Sequence, residues 1–202
     1  RSGSRNIQNH PSRKRGSSIL VQVPQDRFNN YKILRKFLIK MLTFHELMGF
    51  MSPKMANKIL EDTHTNNKDV YRALLTSVAQ VLKARPEFLS RQPKERRHNN
   101  FVQSLSKPNF EEHSGNLIRG WLFKEHKELL IEFLNKLEIK HDEGMVDDLP
   151  NSIDDEQLNP AVNSLLEKYD SELVAIYLTA FNASNVERWS NLDNLLAEDS
   201  RL

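Results

Sequence analysis

The chain of 202 residues contains no cysteine, only 6 glycines and 8 prolines, and no long hydrophobic run. Without cysteine it cannot form a disulfide, a thiolate zinc site or an iron–sulfur cluster, and it has no cysteine nucleophile. No apolar stretch approaches the roughly 18 residues that a membrane span needs. We therefore expect a soluble protein, and the lack of cysteine favours a cytoplasmic location. Because residue 1 is Arg and not Met, we also expect a fragment or a processed product.

Reaction motifs are also missing. The glycines are scattered, so there is no glycine-rich phosphate loop, and neither a G-x-S-x-G elbow nor an H-E-x-x-H zinc motif occurs. His45-Glu46 lacks the second histidine of that zinc motif. The acidic stretch 141–155 does not have the ligand spacing of an EF-hand loop. The sequence therefore predicts no cofactor and no metal, and it leans away from an enzyme.

Charge is distributed very unequally along the chain. Residues 1–107 carry 21 basic and 7 acidic side chains, a balance of about +14, whereas residues 108–202 carry 8 basic and 20 acidic ones, about −12. Such asymmetry concerns partners and the way the halves meet, not the fold. It favours complementary surfaces, either within one chain or between protomers that form a homo-oligomer.

Apolar residues recur at helical spacing almost throughout, and no strand alternation is present. The pattern predicts an all-α, irregular bundle of about seven to eight helices, which could divide into two helical subdomains. The predicted division is a basic flexible arm over residues 1–25, a basic helical subdomain over 26–107 and an acidic helical subdomain over 108–202. The boundary is placed at Lys107-Pro108, where proline interrupts the helical pattern.

Several helices have predicted limits. We expect long helices over about 26–49 and 114–139, a short helix opened by Ser52-Pro53, a helix after Pro93 and a last helix over 185–197. The helix that follows Asn66 or Asn67 should bury a face containing Leu74, Val78, Val81 and Leu82. The last helix should bury one side containing Val186, Trp189, Leu192 and Leu196. The very apolar segment 173–181 is predicted to be the buried centre of the second half.

Basic side chains are the best candidates for contact with nucleic acid or with a partner. They form two groups in the first half: Arg13, Lys14 and Arg15 in the arm, and Lys94, Arg96 and Arg97 after Pro93. Both could neutralise phosphates in a salt-dependent, sequence-independent way. The alternative is that they are solvated, or that they contact the acidic half of the same chain or of a neighbouring one.

A pocket between the two halves is a further alternative, with His45, Trp121 and His126 as its candidate residues. A histidine beside an apolar stripe is more often a core residue with a hydrogen-bonding neighbour than a ligand or a base. The sequence therefore favours a non-enzymatic protein–protein interaction module. Its alternatives are a nucleic-acid-binding protein and an enzyme or small-molecule binder with a pocket between the halves.

Overall fold

The computed structural model describes residues 42–202, and in that part of the chain every regular element is helical. No β-strand occurs there, although Asp142 and Met145 form an isolated antiparallel bridge. The α-helices of the described residues are α1 (Phe44–Phe50), α2 (Pro53–Asn66), α3 (Lys68–Val81), α4 (Pro86–Ser90), α5 (Lys94–Leu105), α6 (Glu111–Glu125), α7 (Lys127–Lys136), α8 (Asp155–Lys168), α9 (Ser171–Ser184) and α10 (Ser190–Glu198). The all-α prediction is confirmed. The predicted basic arm lies outside the described residues.

The predicted long helix over 26–49 is wrong at its C-terminal end. Leu42 and Thr43 are not helical, and α1 begins at Phe44. Thr43 and Glu46 form a capping box, in which the Glu46 carboxylate accepts hydrogen bonds from the Thr43 backbone N–H at 2.9 Å and from its hydroxyl at 2.8 Å. This local arrangement starts a new helix at that point. The remainder of the predicted helix, residues 26–41, lies outside the described residues.

The predicted helix over 114–139 is two helices. α6 ends at Glu125 and α7 begins at Lys127, because His126 between them has a φ of −133° and a ψ of 31°, which is not a helical conformation. The break lets the two helices pack on different neighbours: α6 packs on α1 and α2, whereas α7 packs on α8. No proline or glycine marks it in the sequence. This division, together with the five-residue α4, raises the number of helices above the seven or eight predicted.

The last helix begins later than predicted. α10 starts at Ser190, and Val186 is 95% exposed, so its predicted place on the buried side is wrong. The buried side chain of Asn182 explains the start, because it accepts a hydrogen bond from the Trp189 N–H at 2.9 Å and donates one to the Trp189 carbonyl at 3.1 Å. Trp189 is thereby held in an extended conformation. The predicted burial of Trp189, Leu192 and Leu196 is confirmed.

Residues from both sides of Lys107-Pro108 share one cluster of buried side chains. α9 contains the predicted buried centre, 173–181, and it packs on α1, α6, α8 and α10. The junction itself is a 3₁₀ turn, Pro108–Phe110, directly before α6. The division at this junction into two subdomains stays a prediction.

Two carboxylates of the second half cap helices of the first half. At the start of α1, Glu111 accepts hydrogen bonds from the backbone N–H groups of Phe44 and His45, each at 2.9 Å. Before α2, Glu172 accepts from the backbone N–H of Ser52 at 2.6 Å and from its hydroxyl at 2.7 Å. A carboxylate satisfies the free N–H groups of a helix N-terminus and interacts favourably with its dipole. Capping and apolar packing thus join the two halves.

Candidate interaction surface

His45 lies in the first turn of α1 and contacts the first turn of α6. Its Nδ1 is 2.6 Å from a carboxylate oxygen of Glu111 and 3.0 Å from the hydroxyl of Thr43. Burial raises the pKa of Glu111, but the hydrogen bonds from the backbone of His45 and Phe44 outweigh it and hold the pKa below its ordinary value. Glu111 is therefore an ionised cap of α1, and the position of His45 is explained by this capping arrangement.

Trp121 and His126 lie together at the C-terminal end of α6, with ring centroids 4.6 Å apart. The Trp121 Nε1–H donates to Asp62 at 2.9 Å, and Asp62 pairs with Lys58 at 2.6 Å. Nε2 of His126 is buried and has no hydrogen-bond partner in the described part of the chain. Burial lowers the pKa of His126, because desolvation penalises the charged imidazolium.

The three candidate pocket residues do not share a cavity. Glu111, which contacts His45, precedes Trp121 by ten residues of α6, a separation of about 15 Å at the rise of an α-helix. The recess beside Trp121 holds only about 10 Å³, roughly the room that one water molecule needs. Within residues 42–202, no three His, Asp or Glu side chains are grouped so that they could hold a metal ion.

A larger open groove of about 520 Å³ runs between α7 and α8. It is lined by Glu128, Ile131, Glu132, Asn135, Lys136 and Lys168. Lys168 pairs with Glu132 across it at 2.7 Å. Both helices belong to the second half of the chain, so the groove is not the predicted pocket between the halves.

The predicted basic cluster after Pro93 is largely engaged in structural contacts. Lys94 pairs with Glu61 of α2 at 2.5 Å. Arg97 donates from Nε to the Tyr71 hydroxyl at 2.9 Å and from its guanidinium to the carbonyls of Ser90 and Gln92. Arg96 is exposed and has no ion-pair partner among residues 42–202. Of the other candidates, Arg13, Lys14 and Arg15 lie outside the described residues.

The ion pairs do not join the basic half to the acidic half. In the described residues, seven of the eight ion pairs connect two residues of the same half. The eighth is the contact of His45 with Glu111. No described Lys or Arg of the first half therefore pairs with a carboxylate of the second half. Complementary charge does not hold the halves together within this part of the chain.

A sharp turn joins α3 to α4. Lys83 follows the end of α3 with a left-handed φ of 52°. Its N–H donates to the Gln80 carbonyl at 3.1 Å, and the N–H of Ala84 donates to the Ala79 carbonyl at 2.9 Å. These two bonds form a Schellman motif, which ends a helix abruptly. Pro86 then occupies the first position of α4, which packs back on α3.

Large apolar side chains stay exposed at this turn. Val81 is 40% exposed, Leu82 42% and Phe88 62%. The predicted buried face of α3 is confirmed at Leu74 and Val78 but wrong at Val81 and Leu82. The reason is that only one side of the last turn of α3 is covered: Val78 and Ala79 are buried, whereas Val81 and Leu82 lie on the side that faces solvent. We call the surface formed by Val81, Leu82 and Phe88 the α3–α4 corner.

The surroundings of the α3–α4 corner are basic. Lys83, Arg85 and Arg91 are exposed, and none of them has an ion-pair partner among the described residues. Glu87 is the only acidic residue in the stretch 81–91. Sequence reasoning missed this surface because helical spacing does not reveal where a helix stops being covered. The cluster Lys83-Ala84-Arg85-Pro86 was the available signal, since it places charge and a helix breaker beside apolar residues.

Comparisons with protein families, with curated proteins and with solved structures gave no match for this chain. No relative therefore supplies a role for any of these residues. Each helix within residues 42–202 is too short or too polar to span a bilayer.

Proposed function

We propose that this protein is a non-enzymatic interaction module whose α3–α4 corner binds an acidic protein segment carrying apolar side chains. The observation that carries the proposal is the exposure of Phe88, Val81 and Leu82 beside a hydrogen-bonded turn. Exposed apolar side chains with a polar rim are typical of sites that contact another protein. The rim is basic and unpaired among the described residues, which favours an acidic partner.

The size of the corner suits a weak, transient contact. Burying the exposed part of Phe88 contributes on the order of 1–2 kcal/mol. The basic rim adds mainly to the association rate and to the choice of partner, because charges at an interface steer encounters more than they strengthen the complex. We therefore expect a dissociation constant of about 10 μM or weaker at physiological salt.

The two alternatives have less support. A nucleic-acid surface at Lys94, Arg96 and Arg97 would have to break the pairing of Lys94 with Glu61 and the bonds of Arg97. A substrate pocket at His45, Trp121 and His126 would have to join groups about 15 Å apart along α6. The corner needs no rearrangement, because its apolar side chains are already exposed.

The test is a peptide titration. A fluorescein-labelled peptide rich in Asp, Glu and Leu is titrated with the full chain and followed by fluorescence anisotropy. The control peptide has Lys in place of each acid. We expect binding of the acidic peptide only, weakened about tenfold or more by Phe88→Asp and weakened by higher salt.

Val186→Asp is the matched control variant. Val186 is also an exposed apolar residue, but it lies before α10 and not at the corner. It should bind the acidic peptide as the wild type does. Equal affinities for the acidic and basic peptides, or equal affinities of the Phe88→Asp and Val186→Asp variants, would contradict the proposal.

A further inference from the structure

We infer that the segment which occupies the α3–α4 corner is the turn 142–145 of a second copy of this chain. The inference rests on the proposed function, and it names the partner of the same surface.

The turn between Asp142 and Met145 is closed by two backbone hydrogen bonds and presents one apolar side chain. The backbone N–H of each residue donates to the carbonyl of the other, both at 2.8 Å. The two central residues, Glu143 and Gly144, have φ values of 49° and 91°. Positive φ at both central positions is typical of a type I′ turn, which glycine allows without strain. At the end of this turn Met145 is 58% exposed.

The turn is also anchored to the body of the protein. Lys127 of α7 pairs with Glu143 at 2.5 Å, and Val146 and Leu149 pack against the core. Met145 is therefore held in place while its side chain projects from the surface. A fixed presentation lowers the entropy lost on binding. The flexible thioether of methionine also adapts well to irregular apolar surfaces.

The charges around Met145 match those around the corner. Asp142, Asp147 and Asp148 are exposed near Met145, and none of them forms an ion pair among the described residues. The rim of the corner contributes the exposed cations Lys83, Arg85 and Arg91. An apolar side chain flanked by unpaired acids therefore matches apolar side chains flanked by unpaired bases. Complementary potentials of this kind promote encounter and select the partner.

The match requires two copies. Met145 and Phe88 are both largely exposed in the same chain, so they do not cover each other. Apart from the contact of His45 with Glu111, the ion pairs of residues 42–202 remain within one half, and within that part of the chain neither set of charges is paired. Each copy offers one corner and one turn, which makes the contact heterologous. Such a contact repeats into a ring or an open chain of copies.

The test separates the two surfaces and then recombines them. In the full chain, Phe88→Asp places a carboxylate on the apolar surface of the corner, and Met145→Asp replaces the exposed apolar side chain of the turn by a carboxylate. The wild type should associate as concentration rises, with association weakened at higher salt. Each variant alone should associate at least about tenfold more weakly than the wild type. It should therefore stay monomeric at concentrations at which the wild type associates. Both residues are exposed, so we expect the variants to fold, which circular dichroism checks.

The decisive sample is a mixture of the two variants in analytical ultracentrifugation. The Phe88→Asp variant keeps its turn and the Met145→Asp variant keeps its corner, so together they should form a one-to-one dimer that grows no further. Val186→Asp should associate as the wild type does. A monomeric wild type with no dimer in the mixture would overturn this inference, as would association that neither variant weakens. The peptide titration would still decide the proposed function by itself.

Discussion

Two histidines are withdrawn from water by the fold and have lowered pKa values. His98 is 2% exposed and contacts the Asn57 side chain at 2.9 Å through Nδ1. His126 contacts the Trp121 ring and has a buried Nε2 without a partner among the described residues. Burial is the main cause of the lowered pKa of both histidines. A nearby cation lowers each pKa further, Arg97 for His98 and Lys58 for His126. The folded state therefore favours the neutral rings.

Acidification should destabilise the protein through these histidines. In the unfolded chain a histidine takes up its proton at about pH 6.5, whereas His98 and His126 in the folded chain do so at lower pH. The contribution of these two histidines to the free energy of unfolding is therefore complete above about pH 6.5. The free energy of unfolding falls as the pH drops below that value. Urea denaturation between about pH 7.5 and 5.5 measures this slope.

The variant His126→Gln should flatten the dependence of unfolding free energy on pH, because glutamine does not titrate. Lys58, Asp62 and Glu125 also act on His126, the first lowering its pKa and the two acids raising it. Val186→Gln is the control, since it replaces an exposed side chain that does not titrate, and its slope should equal that of the wild type. An unchanged slope in His126→Gln would show that burial of this ring is not linked to proton uptake.

At the scale of the element, the sequence predicted helix type well and helix ends unevenly. Ser52-Pro53 marked the start of α2, where the Met55 N–H donates to the Ser52 hydroxyl at 3.1 Å. The T-x-x-E pattern of Thr43 and Glu46 is an equally readable signal for the start of α1, but the prediction rested on the apolar stripe through this region alone. The break at His126 has no proline or glycine to signal it, and its consequence, the packing of α6 and α7 on different neighbours, is visible only in the structure.

The C-terminal end of α7 offers a stabilising substitution. Glu138 follows α7 with a left-handed φ of 57°. Its N–H donates to the Asn135 carbonyl, and the N–H of Ile139 donates to the Leu134 carbonyl, as in a Schellman motif. A non-glycine residue in this conformation costs about 1 kcal/mol. Glu138→Gly should therefore raise the free energy of unfolding by about 0.5–1 kcal/mol in urea denaturation.

The control for this substitution lies within α7 itself. Glu128 is exposed and helical, so Glu128→Gly should lower the free energy of unfolding by about 1 kcal/mol. If the two glycine substitutions change the free energy of unfolding in opposite directions, the effect is due to backbone conformation. A loss of stability in both variants would mean that the strain at Glu138 is negligible.

For the whole molecule, the charge split was readable in the sequence but its structural meaning was not. It indicated complementary surfaces without saying whether they meet within a chain. The structure joins the halves through caps at Phe44 and Ser52 and through apolar packing, and it leaves the rim of the α3–α4 corner unpaired among the described residues. The corner itself required coordinates, because Val81 and Leu82 fit the apolar pattern of α3 as well as the buried Val78 does.

The shared core predicts that the two halves unfold together. Both tryptophans belong to the second half, but Trp121 lies at the contact between the halves, where it donates to Asp62 of α2, whereas Trp189 donates to the Pro150 carbonyl within the second half. Trp189→Phe leaves only the first reporter, and Trp121→Phe leaves only the second. In each variant, the fluorescence midpoint in urea should coincide with the midpoint of helix loss by circular dichroism, since coincident probes indicate a two-state transition.

Comparing the two probes within one variant removes the effect of the substitution on overall stability. A fluorescence midpoint that departs from helix loss in either variant would show instead that the chain does not unfold as one unit, as separate subdomains over residues 26–107 and 108–202 would require.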